Sequence, residues 1–538
     1  MNTFKLSLLG LSTALVLTAC GDGKDGANGN DGLAGANGSN GANGLTSLVM
    51  QSQLATGHAS CWLGGVQIDS GIDINANGSL DSAEVTATSY VCNPSNFASS
   101  GVSLPYSVLR NDLENGAIPG STFEIRNGGF GSDMDGHPTN PMQFYAITDR
   151  GPNANFSGEL GAGKMFPTPD YVPRIGLFEI QATGDIKLVK TILLKDRDGN
   201  TITGLPNQAA LGGTGEIPYD AAGEVIRIDP SQPYDAVTNP IKLDDYGLDS
   251  EGLVAMSDGT FWVSDEYGPH IVHYSAEGVE LQRINAFAAD TRNLHTLPAE
   301  FANRWANRGM EGLTITPDET TLVGIMQSSL DNPSSNRTDL TRIVTVNIAT
   351  GAMSQYLYKQ EKGSNSNSAI KALSATSFLV LERDGAFFNS TPTAMKHVYK
   401  IDINTATDLE SVAAVGEVEQ NSAIGLTIGG LSLEQIVKTN AVGSNTAAGW
   451  EILANNGITP ANKTSLVVNM VNEVSYPHDK MEGLWILDNH RLAVINDDDF
   501  ATWSTNDVLE QKYLDDTQSR IDSNTLYIID GLDLTPTQ

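Results

Sequence analysis

Glu-Gly-Leu occurs three times in the chain, each time at the head of an apolar run: Glu251-Gly252-Leu253, Glu311-Gly312-Leu313 and Glu482-Gly483-Leu484. A carboxylate, a glycine that lets another backbone come close, and a strand, returning at long intervals, is how a repeat fold sets equivalent acidic groups around one centre. The three carboxylates are therefore expected to converge. Other acidic groups close apolar runs: Asp265-Glu266 after residues 260–264, Glu382-Arg383-Asp384 after 378–381, and Asn496-Asp497-Asp498-Asp499 after 491–495. Strands ending in carboxylates suit hard cations, because Ca²⁺ takes six to eight oxygen ligands in a flexible geometry. One such cluster alone is ordinary turn chemistry; recurrence favours a shared site.

From about residue 102 onward the chain consists of short strand-like runs separated by Gly, Asp, Asn and Pro. One unit is plain: runs 252–256, 260–264, 271–274 and 279–284, joined by Ser257-Asp258-Gly259, Tyr267-Gly268-Pro269 and Ala276-Glu277-Gly278. Four consecutive antiparallel strands make a propeller blade. Comparable groups start near Leu313, Ile370 and Leu484, an amino-terminal group runs from Phe123 through 145–147 to 193–194, and 525–529 should complete the last group. With residues 412–470 taken as one more, the expectation is an all-β fold, a six-bladed β-propeller over residues 101–538, preceded by a small disulfide-closed module. Helices are predicted over 298–308, with Phe301 and Trp305 at i and i+4, and over 432–439, as insertions on one face.

Residues 1–19 read as a signal peptide: Lys5, an apolar stretch over 6–17, then Leu17-Thr18-Ala19-Cys20. The last four resemble a bacterial lipobox, which implies cleavage before Cys20 and lipidation of its thiol. The expected place is the cell envelope, anchored by acyl chains, with Gly21 after the cysteine favouring the outer membrane. Residues 20–45 carry glycine at every third position from Gly23 to Gly44 without proline. This reads as a flexible tether on a monomer, with trimerisation through the tract as the alternative.

Residues 46–100 hold the other two cysteines, Cys61 and Cys92, which an oxidising compartment pairs as a disulfide. Between them, residues 73–84 fit D-x-[DN]-x-[DN]-G-x₅-E, with Asp73, Asn75, Asn77, Ser79, Asp81 and Glu84 at the calcium-ligating positions. The flanks look extended rather than helical, so a lone calcium loop is expected instead of a paired EF-hand. The segment resembles the short Cys-bounded modules that follow glycine-triplet tracts in other bacterial lipoproteins.

Lys and Arg number 31 against 64 Asp and Glu, a net charge of −33, which excludes nucleic acid as a partner. The chain has no G-x-S-x-G elbow, H-E-x-x-H helix or Walker loop. His478, two residues before Lys480 and four before Glu482, is the histidine placed to act as acid or base.

Taken in order, Thr148-Asp149-Arg150-Gly151-Pro152-Asn153, Asp249-Ser250-Glu251-Gly252-Leu253, residues 261–269, 307–313, Leu381-Glu382-Arg383-Asp384, 480–484 and 496–500 resemble the phytase-like propeller family described as having esterase-like activity of phytase. The resemblance implies a six-bladed propeller and a hydrolase of small-molecule esters or phosphoesters. A ring of carboxylates repels phosphate unless cations neutralise it, so calcium is the implied cofactor. Its implied ligands are Glu251, Asp265, Glu266, Glu311, Glu382, Asp384, Glu482, Asp497 and Asp498. Glu311 and His478 join the catalytic set, and Arg150, Arg383 and Lys480 are the cations for substrate oxygens. Two other readings stand beside this one: a cell-surface binding propeller with structural calcium, and a lactonase-type propeller.

Overall fold

The computed structural model describes residues 32–37, 44–334 and 337–537. The signal peptide, Cys20 and all of the glycine tract except 32–37 and 44 lie outside the described residues.

Five sheets, antiparallel apart from one parallel edge strand in the second, form the body of the molecule. Their inner strands are Asp133–Gly136, Ser250–Ala255, Met310–Ile315, Ser366–Ala372 and Gly483–Asp488. Each inner strand packs on the next, and the fifth packs back on the first, so the ring closes around one axis as a β-propeller. The outer strands follow in chain order in the first three sheets. In the fifth sheet the outermost strand is Val102–Ser103, paired with Thr525–Ile529, so the two ends of the propeller are tied together in one sheet. Apolar side chains from neighbouring sheets fill the spaces between them: Trp262, Leu313, Met326 and Val344 between the second and third, and Val323, Ile370, Phe378 and Val380 between the third and fourth.

The five sheets are the five groups legible in the sequence; the expected count of six is not confirmed, because residues 412–470 do not form a blade. They make a small three-stranded sheet (Val418–Asn421, Gly425–Ile428, Leu431–Ser432) and two helices, Leu433–Thr439 and Ala447–Asn455. The chain then returns as Asn462–Asn469, the outer strand of the fourth sheet. Its apolar residues, among them Leu426, Leu433, Val437, Trp450 and Leu453, cover the flank of the third sheet at Leu340 and Leu357. Buried Arg342 pins the insertion by donating to Glu434 at 2.8 Å. The helix expected over 432–439 forms, with Ser432 as N-cap and Gln435 completing a capping box. The helix expected over 298–308 shortens to one 3₁₀ turn, Ala299–Asn303, because Arg304 turns extended to donate to the carbonyls of Tyr267 and Gly212.

The Glu-Gly-Leu motif has a packing reason. A Cβ on Gly252 would stand 2.6 Å from the Leu313 nitrogen of the next inner strand, one on Gly312 2.8 Å from the Ile370 nitrogen, and one on Gly483 2.9 Å from the Asp133 Cα. Inner strands can approach this closely only without a side chain there. Glu251 and Glu311 also sit where the strand register slips, as bulged residues that turn their side chains out of the ladder. In the fourth sheet the same slip falls at Ser368. Across the axis, Lys371 of the fourth inner strand donates to Asp133 of the first at 2.7 Å and to the Leu253 carbonyl of the second.

The amino-terminal module is a three-stranded sheet, Thr46–Leu54, Gly65–Asp73 and Val85–Cys92, closed by the Cys61–Cys92 disulfide. Trp62 seats it on the propeller: its main-chain N–H donates to Asp488, its indole N–H to the Pro141 carbonyl, and its ring meets Trp485 edge-on. The 73–84 loop joins two strands, as its flanks foretold.

Candidate functional site

The carboxylates gather at the end of the ring where inner strands begin and their neighbours end. Asp249, Glu251 and Glu266 each bring an oxygen within 4.8 Å of the others, and Asp149, Asp497 and Asp499 form a second trio by the same measure. Asp249 just precedes the strand Ser250–Ala255, and the bulge at Glu251 turns its side chain to the same side. Glu311 stands beside the first trio, because Gln327 donates from one amide nitrogen to Glu266 at 2.6 Å and to Glu311 at 2.9 Å. Glu482 is joined to Glu311 through Arg383, which donates to Glu482 and lies 3.9 Å from Glu311.

The electrostatics are those of crowded, desolvated acids. Burial, then the neighbouring Glu311 and Asp249, pushes the Glu251 and Glu266 carboxyls well up. Burial and Asp497 do the same to Asp149. Glu311 is pushed up to about 8 by burial and by Glu482, and Asp498 to about 8 by burial and by Asp522. Asp499 is the exception: burial opposes its charge, yet Lys480 and Lys512 hold it below the usual carboxylate range.

The two trios differ in what already occupies them. Lys480 binds both Asp497, at 2.9 Å, and Asp499, and Lys512 takes the other Asp499 oxygen at 2.6 Å. Their ammonium groups fill the role of a cation there. In the first trio Glu251, 8% exposed, receives no hydrogen bond among the described residues, and the buried Oδ2 of Asp249 has no hydrogen-bond donor, only the Arg150 guanidinium at 3.2 Å. Unmet oxygens on Asp249 and Glu251, beside a Glu266 carboxylate bonded to Gln327, fit calcium or a proton. The first trio is thus the better-fitting cation site, with Asp249, Glu251 and Glu266 as its holders.

A cavity of about 280 Å³ opens over this end, lined by Asn153, Asn155, Lys164, Arg383, Asp479, Lys480, Asp499 and Trp503 among others. Arg383 and Lys480, singled out from sequence, line it. Arg150 is buried, bonded to Glu216 at 3.0 Å and near Asp249, and braces the first trio instead.

The remaining predicted residues take other places. Asp265 accepts from the main-chain N–H groups of Asp249 and Gly268, shaping the loop that carries the trio. Both oxygens of Glu382 are taken, by Tyr358, Lys463, Asn365 and the Glu361 N–H. Asp384 binds Lys396 and the Met395 N–H, and Asp498 caps the turn at Phe500. His478 is buried outside the cavity lining, its ring nitrogens facing Asp522 at 2.7 Å and Tyr527 at 3.0 Å. In the module, Asp73 accepts from the N–H groups of Asn77 and Gly78, and Glu84 from those of Ile74, Asn75 and Asp81. Asn75 and Asn77 donate to Asp81, and the Ser79 N–H donates to Asn77.

Sequence reasoning did not assign ligand roles to Asp149, Asp249 or Asp499, and passed over Lys164 and Trp503. The two-residue spacing of Asp249 and Glu251 at a strand start was the available signal; nothing local marked Lys164, whose place depends on the sheet it shares with residues 217–219.

Comparison with known proteins follows the same division. The family described as phytase-like, esterase-like activity of phytase, matches residues 125–500, and a domain of unknown function, DUF7151, matches residues 46–92. An uncharacterized secreted protein of Arthroderma benhamiae is 32% identical over 244 residues, 40% of this chain; the chain spans 44% of that relative's length. Among solved structures, the PQQ-bound aldose sugar dehydrogenase of Streptomyces coelicolor aligns with 91% of this chain and 99% of its own at 9% identity and a TM-score of 0.27. The Cps50 (Swd1) beta-propeller domain of Myceliophteria thermophila aligns over 73% and 96% at 11% identity and a TM-score of 0.25. Among the described residues, no helix is long and apolar enough to cross a membrane.

Proposed function

The chain belongs to the phytase-like family, and we propose that the acidic end of its propeller is a calcium-dependent site for hydrolysing ester bonds, phosphoesters foremost. The reading rests on one observation: Glu251, nine-tenths buried among Asp249, Glu266 and Glu311, has no donor to balance it. Such a group needs a cation or a proton. When bound, calcium would supply positive charge against phosphate oxygens and acidify a water.

The chain's own groups do the rest. Arg383 presents a planar guanidinium at the cavity, held in place by Glu482, Glu311 and the Ser368 hydroxyl, and orients two substrate oxygens. Lys480, braced between Asp497 and Asp499, takes a third. Glu311, its carboxyl pushed up to about 8, can carry a proton and give it to a leaving oxygen. His478 positions Asp479, the next residue and part of the cavity wall, through Asp522 and then Lys512, which lies 3.4 Å from Asp522 and 2.9 Å from Asp479. Anchoring through Cys20 in the envelope belongs to the same proposal, as does a second, separate calcium at 73–84; the fungal relative is described as secreted.

Calcium and protons compete for Glu251 and Glu266, whose carboxyls burial pushes well up, and other buried acids at this end also hold protons. Asp265, Glu311 and Asp498, pushed up to about 7, 8 and 8, bind protons in the folded state that the unfolded chain releases near pH 4. The metal-free fold therefore loses stability as pH rises from about 4 to 8. A thermal melt without metal is expected to show a lower midpoint at pH 8 than at pH 5, and added calcium to raise it more at pH 8. An equal calcium shift at both pH values would mean that the ion does not displace protons from the Asp249, Glu251 and Glu266 trio.

A further inference from the structure

Two groups on the cavity wall are unused by that chemistry. Lys164, on strand Gly161–Met165, lines the cavity, yet its ammonium makes no ion pair or hydrogen bond among the described residues. The other lining cations, Arg383 and Lys480, are each fixed by carboxylates. Trp503, on strand Thr502–Thr505, is 40% exposed at the same cavity. Its ring is backed by the buried Lys512 ammonium, 5.7 Å from the ring centre. Ser504 donates to the Asn155 carbonyl at 3.0 Å, which ties the hairpin bearing Trp503 to the sheet bearing Lys164.

A partly exposed indole and an ammonium without a side-chain partner, both lining one cavity, are complementary to a flat ring with a negative charge. We propose that Lys164 and Trp503 form the subsite for the alcohol half of the substrate and select an aromatic ring bearing an anionic substituent. The proposal rests on the hydrolase reading for the other half, the ester phosphoryl at Arg383 and Lys480. Burial and the nearby Arg150 lower the Lys164 pKa, and an anion that joins the ammonium opposes that shift.

The test uses compounds that cannot be hydrolysed, so it does not depend on turnover. Calcium-loaded protein would be titrated calorimetrically with methylphosphonate, phenylphosphonate and 4-carboxyphenylphosphonate. Wild type is expected to bind them with rising affinity in that order. Lys164→Met should cost about tenfold for the carboxylated compound, in keeping with a charged hydrogen bond, and leave phenylphosphonate unchanged. Trp503→Ala should weaken both aryl compounds and spare methylphosphonate. Equal losses for all three compounds, no loss, or wild type that does not prefer the aryl compounds would overturn the subsite. A protein that binds as expected but hydrolyses no ester loses the hydrolase reading and keeps the subsite; an active enzyme indifferent to both substitutions loses only the subsite.

Discussion

Glu251→Gln is expected to cut calcium-dependent phosphoester hydrolysis about 100-fold or more while the far-ultraviolet circular dichroism stays that of wild type. The exchange keeps the shape of a side chain packed at a bulge and removes one charge from the Asp249, Glu251 and Glu266 trio. Less charge weakens the cation, and the amide brings donors where the site needs acceptors only. The loss should fall mainly on calcium affinity, so raising calcium should recover part of the rate. Glu84→Gln, in the separate module, is expected to leave turnover unchanged. If the Glu251 variant keeps the wild-type rate at limiting calcium, the trio does not hold the ion.

Lys371→Met should lower stability by about 3–5 kcal/mol, the usual cost of stripping one partner from a buried ion pair. Lys371 and Asp133 meet at 2.7 Å, 5% and 0% exposed, and together they link the first, second and fourth inner strands across the axis. Asp133 is already pushed up to about 6 by burial, with Lys371 opposing the rise. Without the lysine its carboxyl rises further. The cost should thus be larger at pH 8, where Asp133 is charged, than at pH 5, where it takes a proton. Lys371→Met with Asp133→Asn should recover most of the loss, because no lone charge remains. Denaturant midpoints at the two pH values measure this, and a pH-independent loss that the double variant does not relieve would place the effect in packing.

Much of this arrangement was legible before any coordinates. Strand runs with turn residues between them give the five sheets, because local alternation and Gly or Asp turns act over a few residues. The Glu-Gly-Leu motif foretold converging carboxylates, and Gly312 against Ile370 shows the contact that requires it. Residues 412–470 misled because short strand-like runs read alike whether they build a blade or an insertion; the difference lies in what Leu433 and Trp450 bury against, a long-range fact. For the same reason Glu382 and Glu251 look equivalent in sequence, each at a strand end with acidic neighbours. Tyr358 and Lys463 neutralise the first, while the second is left to Asp249 and Glu266. Which acid is matched depends on partners 24 and 81 residues away.

The central claim is that these unmatched carboxylates serve calcium-dependent hydrolysis, and the direct measurement is the turnover rate of the wild-type protein on a phosphoester, an aryl carboxylic ester and a lactone, with chelator and after calcium is restored. The account predicts phosphoester turnover that chelator abolishes and calcium restores, with circular dichroism unchanged throughout. Turnover of the lactone alone would favour the lactonase-type reading, and no metal-dependent turnover on any of the three would contradict the claim and leave a propeller that binds without catalysing.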